Sequence, residues 1–109
     1  MRLASFKRCV VPLEKPRDYL LNLNHPDGRH KARFFSRFGY STANIEVCAQ
    51  ALTDHAEDNE VANTILSQFG MKYIVERHFR TPDGRGPCIV TIWIGEFNGI
   101  ARFVTAYPK

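Results

Sequence analysis

The spacing of apolar positions changes near residue 58. Before this point, apolar residues recur every three or four positions, as on one face of a helix. The clearest set is Ile45, Cys48, Ala49, Leu52 and Ala56. After it, β-branched and aromatic residues dominate "EVANTILSQ", "MKYIVERHF", "CIVTIWIGE" and "IARFVTAY", which is typical of strands. The pattern predicts a helical half over about 14–57 and a sheet half over about 60–107.

Proline and glycine mark the expected ends of the helices. Pro16 predicts the start of a helix over 16–23, because its missing N–H falls in the first turn. A second helix is expected over 28–38, with Gly39 just beyond its end. A third helix is expected over 42–56.

Short turns such as "FG" and "TPDGRGP" separate the four strand segments, which favours hairpin connections. The sequence therefore predicts an α+β fold in one domain, residues 1–109, with N-terminal helices packed on a four-stranded antiparallel β-meander. Val10 and Val11 are expected in a short leading strand or an extended arm. The segment "EVANTILSQ" could be helical instead.

Length and composition are those of a soluble globular protein, with 109 residues, 44% apolar and 24% charged. The N-terminal apolar stretch is too short for a signal peptide. A cytoplasmic location is expected, or export by a dedicated system that needs no cleaved signal. The net charge of +4 is compatible with RNA, DNA or an acidic protein as partner.

Cysteine and histidine spacing predicts neither a disulfide framework nor a metal site. Cys9, Cys48 and Cys88 are an odd number of widely spaced thiols, so we expect them to be reduced and mostly buried. The chain has no CxxC, HxxxH or paired-carboxylate motif. We therefore expect no metal, no cofactor and metal-independent chemistry.

The segment "GRHKARFF" places a lysine among phenylalanines on one helical face. Lys31 lies three and four positions before Phe34 and Phe35, so its side chain starts toward the apolar side. It could extend its ammonium past the core into water. Alternatively, it could meet a phosphate at the helix N-terminus, with His30 beside it as a proton carrier. In that case Lys31 must reach around the edge of the sheet.

The remaining basic residues of this helix form a separate stripe that includes Arg29 and Arg33. The stripe could be a solvated face or could contact RNA phosphates. Arg85 lies in the "TPDGRGP" turn and is either a solvated residue or a substrate contact. His55 near the end of the third helix could interact with the helix dipole or belong to a site.

Strand alternation assigns the last two strands an apolar face and a mixed face. The apolar set Cys88, Val90, Ile92 and Ile94 is expected to form the core. The other face carries rings and hydroxyls, a combination suited to stacking bases and holding phosphates. Its members are Thr91, Trp93, Phe103, Thr105 and Tyr107, and Tyr73 could join them. Alternatively, Trp93 and Tyr107 are ordinary core or edge residues.

Several blocks carry a family resemblance: "EKPRDYLLNLNHPDGRHKARFF", "FGMKYIVE", "TPDGRGP", "TIWI" and "RFVTAYP". Over about residues 14–108 the chain resembles an uncharacterised family of small bacterial proteins with the motifs GRHKARFF, TPDGR and VTAYP. The layout of helices followed by a four-stranded meander is similar to that of ribonuclease toxins of the barnase–EndoU–colicin–RelE type. The resemblance implies a toxin–antitoxin pair or a polymorphic toxin domain, with a small antitoxin or immunity protein as partner.

The resemblance also implies site residues in the early helix and the last strands. His30, Lys31, Thr105 and Tyr107 would be catalytic, and Thr91 and Trp93 would bind substrate. The chain departs from the family pattern at Val90, where the family has arginine, and at Arg77, where it favours glycine. Arg102 or Arg85 could replace the missing arginine.

Two functions follow as hypotheses. The first is a metal-independent endoribonuclease that cleaves RNA by attack of the ribose 2′-OH on the adjacent phosphate. The second is a non-catalytic module that binds nucleic acid or protein through the basic helix 28–38.

Overall fold

The computed structural model describes residues 2–3, 6–96 and 98–109. In chain order its elements are β1 (Arg8–Val10), a π-helical turn (Pro16–Leu20), α1 (Arg29–Arg37), a 3₁₀ turn (Thr42–Asn44), α2 (Ile45–Glu57), β2 (Asn63–Ser67), β3 (Gly70–His78), β4 (Cys88–Gly95) and β5 (Ile100–Pro108). The helices precede the main strands, so the predicted α+β class is confirmed. The segment containing β2 is a strand and not a helix.

The sheet has five strands in the order β1-β5-β4-β3-β2. Strands β2 to β5 pair antiparallel with their sequence neighbours, whereas β1 pairs in parallel with residues 100–102 of β5. The predicted count of four strands is therefore wrong. The partner of β1 lies at the other end of the chain, so no local pattern indicates this pairing.

The predicted third helix divides into the 3₁₀ turn and α2. The Ser41 hydroxyl accepts a hydrogen bond from the Ala43 amide, and the Asn44 side chain accepts one from the Ser41 amide. These reciprocal caps satisfy amides that otherwise lack partners at a helix start. The regular α-helix consequently begins at Ile45.

The core face of β4 is the opposite of the predicted one. Ile89, Thr91 and Trp93 are fully buried at 0% exposure, and they lie on the side of the sheet that α2 covers through His55. The expectation that Thr91 and Trp93 lie on an open face is wrong. Both sets of β4 side chains are largely apolar, so alternation alone could not decide which one faces the helices.

A bulge in β5 separates residues that were expected to share a face. Ile92 pairs with Thr105, whereas the next residue, Trp93, pairs with Phe103, so β5 carries one extra residue at this point. Directly paired side chains lie on the same face. Phe103 therefore joins the core with Trp93, while Thr105 and Tyr107 lie on the other side of the sheet.

A buried chain of hydrogen bonds joins α2 to the sheet. The Trp93 indole donates to the Thr91 hydroxyl (2.9 Å), Thr91 lies 3.0 Å from His55 Nδ1, and His55 Nε2 lies 2.9 Å from the Arg77 carbonyl oxygen. A carbonyl only accepts, so Nε2 carries the hydrogen and Nδ1 accepts from Thr91. Burial lowers the pKa of His55, and the hydrogen bond to Arg77 opposes part of that shift. His55 is therefore a neutral link inside the fold.

Gly28 allows α1 to begin directly against the π-helical turn. A Cβ atom at this position would lie 2.7 Å from the Tyr19 carbonyl oxygen and 3.1 Å from the Tyr19 ring. Distances this short to a backbone atom are repulsive, and a tightly packed interior relaxes only in part. The absence of a side chain at Gly28 thus fixes the distance between α1 and Tyr19.

Replacing His55 by leucine should reduce stability in a pH-dependent way. The Thr91 hydroxyl and the Arg77 carbonyl lose their partner, which costs about 1–3 kcal/mol at pH 7.5. The folded-state pKa lies below the unfolded value of 6.5, so the stability that neutral His55 contributes is present above that pH and is lost as the pH falls. Urea unfolding across this range should therefore show the difference between wild type and His55→Leu shrinking at acidic pH. The same substitution at exposed His30 is the control, and a constant difference would contradict the assignment.

Gly28→Ala should destabilise the protein by about 1–3 kcal/mol, because its Cβ meets the Tyr19 carbonyl. An alanine without a clash would instead stabilise the fold by about 0.4–1 kcal/mol. The sign of the change in unfolding free energy therefore tests the contact. Arg29→Ala, at the next and exposed position, is the matched control.

Candidate functional site

Four side chains from three parts of the chain meet around Lys31. The Lys31 ammonium donates a hydrogen bond to the Thr105 hydroxyl at 3.0 Å and lies 3.5 Å from the Tyr19 hydroxyl. It also lies 5.1 Å from the centre of the Tyr19 ring and 6.0 Å from that of Tyr107. We call Tyr19, Lys31, Thr105 and Tyr107 the Lys31 cluster.

Two features of the sheet make this contact possible. Strand β1 pairs only with residues 100–102 of β5, so it does not cover the later part of that edge. Lys31, in the first turn of α1, reaches Thr105 there. The bulge directs Thr105 and Tyr107 away from the core. Lys31 therefore meets both residues at the sheet edge, although its helix packs Ala32 and Phe35 into the core.

The cluster holds a cation without a neutralising carboxylate. In the described part of the chain, no Asp or Glu forms an ion pair with Lys31, while six other basic residues pair with acidic ones. Lys31 is half-buried, and the neighbouring Tyr107 is 37% exposed. A cation in this setting keeps a fixed direction and can accept an anion such as phosphate from the solvent. Ring faces add a weaker attraction for the ammonium.

Tyr19 and His25 belong to this region, although no sequence motif selects them. His25 Nδ1 accepts hydrogen bonds from the amides of Asp27 and Gly28 at 3.0 and 2.9 Å. Its ring meets the Tyr19 ring edge to face, with centres 4.8 Å apart. His25 thus stabilises the turn before α1 and supports Tyr19 against Lys31. Only the folded turn reveals this role.

The basic residues next to Lys31 in the first half of α1 do not join the cluster. Arg29, His30 and Arg33 are exposed, and none of their side chains has a hydrogen bond, ion pair or ring contact with the described residues. His30 precedes Lys31 directly, so it is the histidine next to the cluster in sequence. All three side chains are open to solvent, and Arg29 and Arg33, each two positions from Lys31, lie on a different side of the helix.

Three predicted site residues lie elsewhere on the surface. Arg85 bonds the Asp83 carboxylate and the Arg37 carbonyl, so its own turn uses its guanidinium. Arg102 pairs with Glu96. Tyr73 lines, together with Arg102, a separate cleft of about 780 Å³. The structure does not bring these side chains to the Lys31 cluster.

Other polar side chains are buried too deeply for contact with a substrate. Thr91 and Trp93, predicted to bind substrate, are enclosed in the core because the His55 link holds them there. Burial raises the pKa of the Cys9 thiol to about 11 and that of Cys48 to about 12. All three cysteines are free, as predicted. The buried thiols stay protonated at neutral pH and are poor nucleophiles.

Among the described residues, no group of three or more His, Cys, Asp and Glu side chains could hold a metal ion. None of the helices in this part of the chain has the length and apolar character needed to cross a membrane.

One solved structure resembles this fold over nearly its whole length. It is a contact-dependent growth inhibition toxin–immunity protein complex from Klebsiella pneumoniae 342. One of its chains aligns with a TM-score of 0.74 and 25% sequence identity, covering 98% of this chain and 96% of the other. Comparison with curated proteins finds no significant match.

The sequence as a whole also matches one protein family. The match covers residues 2–109, which includes the Lys31 cluster and all five strands. The chain therefore belongs to the family described as "Domain of unknown function (DUF6883)".

Proposed function

We propose that the protein is a toxin-like, metal-independent endoribonuclease whose phosphate site is the Lys31 cluster. The observation that carries the proposal is the 3.0 Å contact between the Lys31 ammonium and the Thr105 hydroxyl, with no carboxylate of the described residues in an ion pair with Lys31. Hydroxyl and ammonium donors that converge at a sheet edge suit the oxygens of a phosphodiester. The exposed Arg29 and Arg33, on a separate stripe of α1, would bind phosphates farther along the RNA.

The toxin part of the proposal is supported by the solved structure with the same fold. That structure contains a growth inhibition toxin and its immunity protein. This chain is basic, with a net charge of +4, and it presents an unneutralised lysine. These properties suit a toxin that acts on RNA better than an immunity protein that inhibits such a toxin. The target would be RNA in the cytoplasm, and the partner a small immunity protein or antitoxin.

The proposed reaction is an in-line transfer within the RNA chain. A base takes the proton from the ribose 2′-OH, and this oxygen forms a bond to the adjacent phosphorus. The bond from phosphorus to the 5′-oxygen breaks, and an acid gives that oxygen a proton. The products are a 2′,3′-cyclic phosphate and a free 5′-hydroxyl.

The cluster offers a role for each side chain in this reaction. Lys31 would stabilise the charge that develops on the pentacoordinate phosphate, and Thr105 would donate to a phosphate oxygen. Such preorganised donors lower barriers by roughly 3–4 kcal/mol. Tyr107 and His30 would carry the two protons, because both are exposed beside Lys31. Tyr19 would hold the ammonium in place.

Lys31→Met should reduce RNA cleavage by about 10²–10³-fold, because it removes the charge and keeps most of the side-chain length. Thr105→Val preserves shape without the hydroxyl and should cost about tenfold or more. Initial rates on total RNA, with thermal unfolding as a folding check, measure both effects. Lys15→Met, at an exposed lysine outside the Lys31 cluster, should cleave like the wild type. Full activity of Lys31→Met would refute the phosphate site.

The proton carriers are tested by fragment ends in the presence of EDTA. The wild type should produce 2′,3′-cyclic phosphate ends, and Tyr107→Phe and His30→Ala should each lose most of the rate. His78→Ala, at another exposed histidine, is the control. If folded wild-type protein leaves RNA intact but binds it with a steep salt dependence, the binding module is the correct function.

A further inference from the structure

Strand β2 forms one edge of the sheet, and no strand of the described residues lies beyond it. Along an edge strand, alternate residues direct their amide and carbonyl groups away from the neighbouring strand. Four of the five residues of β2 are exposed. The backbone of this edge is therefore available for pairing with another chain.

The side chains around β2 make this edge unusual. Residues 61–71 contain no Asp, Glu, Lys or Arg. Within this stretch Ile65 is 49% exposed, Leu66 is 75% exposed and Phe69 is 74% exposed. Natural edge strands are normally protected by charges, proline or short length. Residues 61–71 have neither charges nor proline, so an uncovered β2 edge favours association with another chain.

The opposite edge of the sheet shows the usual protection. Strand β1 has only three residues, and the exposed cations Lys7 and Arg8 stand at its start. The same chain thus protects one edge and leaves the other apolar. The difference indicates that β2 is covered in the working state of the protein.

A cleft continues the apolar edge. Its volume is about 780 Å³, and its walls include Phe69 and Met71 at the β2–β3 hairpin, with Phe6, Tyr73 and Ile94 behind them. The ion pair of Arg102 with Glu96 also lines the cleft. Gly70 and Gly95 also line it, and their lack of side chains leaves the cleft open. An apolar side chain from a strand that pairs with β2 could enter here.

We propose that β2 and the adjoining cleft are the docking surface for the immunity protein, which adds a strand to the sheet at β2. The identity of the partner rests on the toxin part of the proposed function, while the docking itself does not require RNA cleavage. The full-length similarity to a chain from a toxin–immunity protein complex supports a protein as the occupant.

Charge favours the immunity protein over two other candidate occupants, a second copy of the chain and RNA. A second copy would bring another net charge of +4 and would add to the repulsion, whereas an acidic partner would be attracted. RNA would need cations, and residues 61–71 supply none. An acidic protein with an apolar strand therefore fits the edge best.

Strand β2, the part of the docking surface that the substitutions below change, is separate from the Lys31 cluster. Strands β3 and β4 lie between β2 and β5, which places the two edges about 14 Å apart at ~4.8 Å per strand. Substitutions in β2 should therefore leave the chemistry at Lys31 unchanged. This separation allows the docking surface and the ribonuclease site to be tested independently.

The test uses the full chain co-expressed with the protein encoded by the adjoining reading frame. We expect a stable complex in which the amides of residues 63–67 exchange with deuterium at least tenfold more slowly than in the free chain. Ile65→Asp and Leu66→Asp should each weaken the complex by at least tenfold in a titration. Val47→Asp is the matched control, because Val47 is an exposed apolar residue on α2 (57%).

Each other outcome overturns the proposal. The first is that no complex forms with the neighbouring protein, and the second is that a complex forms while residues 63–67 exchange as in the free chain. A concentration-dependent dimer of the chain alone with these amides protected would instead identify a second copy as the occupant. RNA cleavage by the same variants is measured in parallel, so absence of cleavage refutes the ribonuclease and leaves the docking result intact.

Discussion

The buried hydrogen-bond chain through His55 determines how the rest of the protein is arranged. It connects α2 to the two central strands through Thr91 and the Arg77 carbonyl, and it satisfies the indole of Trp93 on the way. A threonine hydroxyl and an indole N–H are tolerated in the core only because each has a partner. Because the face of β4 with Thr91 and Trp93 lies toward the helices, its opposite face is directed outward.

The position of the Lys31 cluster follows from that orientation. Once Trp93 and Phe103 are inside, the extra residue in β5 places Thr105 and Tyr107 on the outer side of the sheet. The short β1 leaves their edge open, and Gly28 lets α1 begin close to Tyr19. Lys31 then meets two hydroxyl groups and no carboxylate. The cluster is assembled by elements that are far apart in sequence.

The two edges of the sheet differ in charge and polarity. One edge of the sheet carries Lys31 with exposed arginines nearby, and the other carries an uncharged apolar strand. The first suits a polyanion, and the second suits a protein strand. The proposed partners, RNA and an immunity protein, would use different edges, because β5 and β2 are separated by two strands of the same sheet.

The sequence by itself determined the α+β class and the order of helices and strands, because these depend on local periodicity. The grouping of Lys31 with the last strand came from the family resemblance and stays a prediction. The sequence did not determine the parallel β1, the inward face of β4 or the bulge in β5. It therefore placed Thr91 and Trp93 in the site and left out Tyr19 and His25. Both faces of β4 are apolar, and a one-residue bulge reverses alternation. Only tertiary contacts settle these choices, and those of His55 with Thr91 and of Lys31 with Thr105 join residues more than 35 positions apart.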